Sequence, residues 1–253
     1  MSFGLQKRVL KAPADGYTLF MVYSTLLTVN PSLFKNLTYD SVKSFAAVAN
    51  FVNVPNILIV HPTFKVDTIG DVIRLAKESP GKLNYASSAH GTINHLFAEL
   101  FKQDAGVNIV HVPYNGGAAA MTAVMGGQVD MMFQNLVEAL PHIKSGRVKP
   151  IVIAARHRST ALPEVPTLEE SGFKGYESAL WYGIVAAAAT PPEAIEAVNR
   201  AMKRVQEMPA IQERLVAMGL ESVYMTPNEL SEHIKREITK WSAVVRGAGI
   251  KPD

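Results

Sequence analysis

The chain contains no cysteine among its 253 residues, which excludes disulfides, thiolate metal sites and a cysteine nucleophile. That absence fits an oxidising compartment without requiring one. No apolar run reaches the ~18 residues of a membrane span, and the opening MSFGLQKRVLKAPADGYT lacks the apolar core of a signal peptide. On this reading the chain neither inserts into a membrane nor carries an export address. No block of Lys and Arg with interleaved aromatics occurs and the net charge is only +3, which argues against nucleic acid as a partner.

The usual signatures of chemistry are missing as well. There is no G-x-S-x-G, no G-x-G-x-x-G and no Walker sequence. The seven histidines are dispersed and none forms H-E-x-x-H or a similar helical pair, so no metal and no cofactor is expected. His90 and His95 flank one turn and could both face a ligand. A triad of Ser87, His95 and Asp130 can be drawn, but nothing in the spacing supplies an oriented base. The expectation is a protein that is not an enzyme.

What is present is a chain 48% hydrophobic and 19% charged, in which strands alternate with helices across short turns. That pattern predicts an α/β fold with mostly parallel sheets. The stretch from 82 to 135, KLNYASSAHGTINHLFAELFKQDAGVNIVHVPYNGGAAAMTAVMGGQVDMMFQN, holds one device twice. In the first copy Leu83 to Ala86 is extended, Ser87-Ser88-Ala89-His90-Gly91 turns, and Thr92 caps a helix with Ile93, Leu96, Phe97, Leu100 and Phe101 at helical spacing. In the second, Asn108 to Pro113 is extended, Tyr114-Asn115-Gly116-Gly117 turns, and Ala118 to Met125 is helical. Helix starts carry unpaired N–H groups and about half a positive charge, so two of them entering from one sheet predict a pocket for a small carboxylate. Any strand-to-helix turn needs glycines and caps; the pairing is what raises the functional reading.

Around this stretch the other elements fall into order. Leu5 to Lys11 reads as a short amphipathic helix, and YTLFMVY as a strand ending in the hydroxyls of Ser24 and Thr25. NILIVH is a buried strand closed by Pro62, and Thr68-Ile69-Gly70-Asp71 is a capping box. Gln134-Asn135 follows the strand VDMMF, at the place where ligands sit in open α/β sheets. Trp181-Tyr182, ahead of the strand YGIVAAA, offers flat apolar surface for a pocket or for a seam between domains. Two helices close the chain, introduced by Thr190-Pro191-Pro192-Glu193 and Thr226-Pro227-Asn228-Glu229.

ADGYTLFM, NPSLF, HVPYNGGAAAMTAVMGGQVDMMFQNL, LPEVPTLEESGF and KWSAVVRGAGIK, collinear over nearly the whole chain, resemble the Bug-type (TctC-like) substrate-binding receptors of tripartite tricarboxylate transporters. The resemblance implies a two-domain periplasmic binding protein of type II, an extracytoplasmic receptor. It would capture a small organic carboxylate in an interdomain cleft and signal to the transporter's membrane subunits. Domain 1 is expected from residues 1–56 and 178–253 and domain 2 from 57–177, with NILIVH and YGIVAAA crossing between them. Carried over by position, the ligand-binding residues are Ser24, Thr25, Ser87, Ser88, Gly91, Thr92, Tyr114, Asn115, Gly116, Gly117, Gln134 and Asn135, to which Trp181 is added for its flat surface. Relatives often have Asp where Gln134 stands, so a ligand ammonium would lose one counter-charge.

The family pattern also places a βαβ unit of ~30 residues ahead of LQKRVLKAPADGYT, and that first unit of domain 1 is missing here. Its loss implies an uncovered sheet edge, and either a monomer or a dimer formed through that edge. The competing expectation is a cytosolic ligand-sensing or interaction module on the same scaffold, motivated by the absent export signal.

Overall fold

The computed structural model describes residues 4–176 and 180–251. Two folded units share the chain: Met1–Asn53, Leu180–Leu215 and Glu221–Asp253 form the first, and Val54–Ala179 and Val216–Leu220 the second. The return boundary expected at 177–178 falls outside the described residues.

The first unit opens with α1 (Gly4–Lys11), β1 (Phe20–Tyr23), α2 (Ser24–Thr28), α3 (Asn30–Leu33) and β2 (Phe45–Val54). Next come β3 (Asn56–Val60), α4 (Ile69–Glu78), β4 (Asn84–Ser87), α5 (Ile93–Ala105) and β5 (Val110–Pro113). The second unit continues with α6 (Gly117–Met125), β6 (Met131–Asn135), α7 (Leu136–Lys144) and β7 (Lys149–Ala154). The chain closes with β8 (Leu180–Ala187), α8 (Pro192–Gln206), α9 (Pro209–Ala217) and α10 (Pro227–Gly247). Crossing from the first unit to the second occurs at Asn53 and Val54, at the end of β2, rather than along NILIVH, which lies wholly in the second unit.

The second unit is built on a five-stranded sheet ordered β5-β4-β6-β3-β7. The unbroken apolar run of β3 suits a strand covered on both faces, and Ile57, Leu58, Ile59 and Val60 are all fully buried. Ile57 and Ile59 share a core with Met132, Val124 and Leu136, so β3, β6, α6 and α7 are held by one apolar cluster. Burying each such side chain contributes about 1.5–3 kcal/mol. The first unit holds a three-stranded sheet, β1-β8-β2, whose core includes Val22, Leu27, Trp181, Val185, Leu230 and Ile234.

The α/β expectation holds, with mixed rather than mostly parallel pairing. β4 is parallel to both β5 and β6, while β3 is antiparallel to β6 and β7. The strands joined by helices α5, α6 and α7 therefore run one way. β3 follows β2 with only Pro55 between them, has no helical crossover to set its direction, and runs against its neighbours.

Local chemistry explains where the elements begin. Full capping boxes, Thr68 with Asp71 and Thr226 with Glu229, open α4 and α10. Thr190 does not cap α8: Pro191 is the N-cap, and the Thr190 amide donates to the Ala187 carbonyl instead. β1 starts at Phe20 and not at Tyr17, because the Asp15 carboxylate accepts the Tyr17 amide in a turn at 3.0 Å and leaves Tyr17 in solvent. β1 ends the order of its sheet, and Leu19, Met21, Tyr23 and Tyr182 are exposed there. Among the described residues no helix is long and apolar enough to cross a membrane.

Candidate functional site

β4 delivers the chain into a turn that closes on a glycine. Ser87 is its last residue, and Gly91 takes a φ of 72°, in the left-handed region. Thr92 then holds the N-cap position of α5 in an extended conformation, but its hydroxyl donates to the Ala89 carbonyl at 2.8 Å and caps nothing. α6 begins in the same manner. Its N-cap is Gly116, at φ 103° and ψ 160°, with no side chain to offer. The N-cap of α7, Asn135, also makes no side-chain cap bond. Where α4 and α10 carry side-chain caps, the helices leaving β4, β5 and β6 do not, though the first amide of α7, that of Leu136, donates to the Pro55 carbonyl at 2.8 Å.

These uncapped starts are tied together. β4 and β5 are parallel with Ser87 beside Pro113, and the pairing continues past the strands: the Tyr114 amide donates to the Ser87 carbonyl at 2.9 Å and the Gly116 amide to the Ser88 carbonyl at 2.8 Å. β6 joins through Asn94. That side chain accepts the Ser88 hydroxyl at 2.9 Å and donates to the Gln134 side-chain oxygen at 2.9 Å and to the Phe133 carbonyl at 2.8 Å. Because Gly117 has no Cβ, a small space stays open there. An atom placed at that position would lie 3.5 Å from Gln134 Nε2, 3.6 Å from Glu138 Oε2 and 3.7 Å from Ser88 Oγ. A groove of about 530 Å³ continues from it, lined by Met121, Met125, Glu138 and His142 as well as Gly117 and Gln134.

Of the second-unit residues singled out in the sequence, these bonds bring together Ser87 and Ser88 with Tyr114, Gly116 and, through Asn94, Gln134; Gly117 lies beside Ser88 and Gln134, while Gly91 and Thr92 follow Ser88 in the turn that opens α5. Asn115 sits exposed in the same turn, and Asn135 follows Gln134 at the end of β6. In the first unit Ser24 is buried and its hydroxyl accepts the Trp181 amide at 3.3 Å, Thr25 is half-buried one residue on, and Trp181 is fully buried in the core. The indole Nε1 of Trp181 is buried without a hydrogen-bond partner.

One polar residue escaped the sequence reading. Asn56 lies opposite Asn135 in the β3–β6 register, is 1% exposed, and both of its amide atoms are buried without partners, as is Asn135 Oδ1. The signal available was an asparagine heading an otherwise apolar strand, NILIV.

The histidines that read as dispersed also converge. His95 and His111 stack at 3.9 Å between ring centroids, and His90 stands edge-on to both, at 5.6 and 4.9 Å. The Gly91 amide donates to His95 Nδ1 at 3.0 Å, so that nitrogen carries the lone pair. The Ser87 hydroxyl lies 3.0 Å from the Ala89 carbonyl and 2.6 Å from His111 Nε2, which ties the His111 ring to the end of β4. Burial, reinforced by neighbouring imidazoles, lowers His95 to about 4 and His111 to about 3, so both are neutral at pH 7. Asp130 takes no part: its carboxylate accepts the amide of Asn84, the first residue of β4, at 2.8 Å, while Ser87 is the last.

Residues 4–250 match the family described as tripartite tricarboxylate transporter family receptor. The protein BugT of Bordetella pertussis is 33% identical over 242 residues, covering 95% of this chain and 74% of the relative. Among solved structures, R. palustris Rpa4515 with adipate has a TM-score of 0.82 at 31% identity, covering 98% of this chain and 83% of that one. MatC from Rhodopseudomonas palustris with bound malate has a TM-score of 0.75 at 29% identity, covering 95% and 83%.

Proposed function

The chain belongs to the tripartite tricarboxylate transporter receptor family, a family of solute-binding receptors, and on that premise we propose that it captures a small organic carboxylate outside the cytoplasm and presents it to the membrane subunits of such a transporter. The observation that carries this reading is the bonding of the two turns, Tyr114 to Ser87 and Gly116 to Ser88, which sets two uncapped helix starts side by side. Each start offers N–H groups and the positive end of a helix dipole, and together they suit the two oxygens of a carboxylate. The hydroxyl of Ser88 and the Gln134 amide stand beside them. Solved relatives with adipate and malate support the class of ligand.

We further propose that the protein catalyses no reaction. Ser87 is fully buried, its imidazole partner His111 is too weak a base to activate it, and no acid orients that ring in the way a triad requires among the described residues. Calorimetric titration with di- and tricarboxylates, aromatic acids and acidic amino acids tests the receptor reading. At 100 times its dissociation constant a true ligand adds about 2.7 kcal/mol to stability. Absence of heat and of thermal stabilisation with every one of these would count decisively against it.

A further inference from the structure

His90 in the turn before α5, His95 in the first turn of α5 and His111 on β5 each offer a ring nitrogen, and these atoms all lie within 4.8 Å of one another. We propose that the three imidazoles form a site for one divalent transition-metal ion, of the zinc, nickel or cobalt kind, with a further coordination position open to solvent. The site stands independently of the carboxylate reading.

The donors choose the ion. Three nitrogens with no carboxylate oxygen among them suit Zn²⁺, Ni²⁺ or Co²⁺, whereas Mg²⁺ and Ca²⁺ require oxygen ligands. Glu99 is engaged by the Tyr85 hydroxyl and by Lys102 at 2.6 Å, so it stays outside the set. Burial differs usefully among the three: His95 is buried, His111 half-buried and His90 exposed, which gives an ion a way in from water and a dry floor. Zinc held by three histidines keeps a fourth position for an outside ligand.

The hydrogen bonds already present shape the two inner ligands. The Ser87 hydroxyl holds His111 Nε2 at 2.6 Å, and a hydrogen-bond partner on a histidine ring of this kind orients it for an ion. Stacking of Tyr85 on His111 at 4.9 Å holds that ring further. His95 has its lone pair on Nδ1, committed to the Gly91 amide, and exchanges that bond for the ion. Around a tetrahedral ion the nitrogens stand about 3.4 Å apart, so the rings draw in and the parallel pair tilts. Release of the Gly91 N–H follows, at the turn that opens α5.

The test uses the full chain without a polyhistidine tag, titrated with Zn²⁺ by calorimetry and with Co²⁺ by visible absorption. The site predicts one ion per chain with a dissociation constant at or below about 10 µM, and Co²⁺ bands of a four- or five-coordinate centre. His90 is exposed, so His90→Ala leaves the fold in place; it weakens Zn²⁺ binding at least about tenfold, while replacement of the exposed His157 by Ala does not. No ion taken up by the unaltered chain at about 100 µM, or equal affinities in the His90→Ala and His157→Ala proteins, overturns the proposal.

Discussion

The amide of Gly116 donates to the carbonyl of Ser88 at 2.8 Å, so the turn that opens α6 hangs from the turn that opens α5. Anything that moves one helix start moves the other. The proposed carboxylate grip depends on this pair holding its spacing.

Gly116 is the position where that spacing can be attacked. Its φ of 103° with ψ of 160° is open to glycine alone, and a Cβ there would meet nothing within 4 Å, so the penalty for Gly116→Ala is conformational and not steric. The substitution should cost about 1–3 kcal/mol in denaturant unfolding. It should also weaken carboxylate binding by calorimetry. Gly106→Ala, at the other end of α5 with φ 60° and equally open space, is the control: it destabilises but leaves affinity unchanged. Equal affinity in both variants would mean that the α6 start does not touch ligand.

Asn56 offers a test of opposite sign. With both amide atoms buried and unpaired in the ligand-free protein, Asn56→Leu removes a desolvation penalty while keeping the same branched heavy-atom skeleton. Thermal unfolding without ligand should show a gain of about 1–3 kcal/mol. A lower melting temperature would show that the amide has partners in solution.

Glu138 places a negative charge 3.6 Å from the space left by Gly117. If a carboxylate binds beside Gly117, Glu138→Gln should tighten binding of dicarboxylates about two- to fivefold at low salt, with the gain shrinking as salt rises. Weaker binding in the variant would identify Glu138 as an acceptor for a ligand N–H or O–H.

The imidazoles predict a pH dependence. His95 and His111, lowered to about 4 and about 3 by burial, bind protons less readily folded than unfolded. Their contribution to stability is therefore complete above about 6.5, the ordinary value, and is lost as pH falls from there through the folded values. Proton NMR titration of the ring C–H signals should give midpoints well under 5 for both in the metal-free protein. Midpoints near 6.5 would contradict the packing described.

Much of the fold could be read from local chemistry. The boxes at Thr68 and Thr226, the glycines at 91 and 116, and the apolar runs NILIV and KPIVIA all mark elements that depend on neighbours within a few residues. What stayed hidden depends on partners far along the chain. The antiparallel placement of β3 is fixed by which strands flank it, and α9 was missed because its apolar pattern is weak and only Leu215 is buried. Thr92 occupies the cap position predicted for it, yet its hydroxyl turns to Ala89, a choice between two acceptors that spacing cannot make. His111 lies 16 residues beyond His95 by number, and only the parallel register of β4 and β5 brings it against Ser87. The sequence pairs Trp181 with Tyr182 as flat apolar surface for a pocket or a seam between domains, but strand alternation sends the two rings to opposite sides, Trp181 into the core and Tyr182 to solvent.

The most direct measurement follows backbone amide signals while a dicarboxylate such as malate is added. Saturable shifts concentrated at Gly91 to Asn94 and Gly116 to Ala119 are the predicted result. Tight binding that leaves those amides unmoved, with shifts confined to other residues, would contradict the assignment of the site.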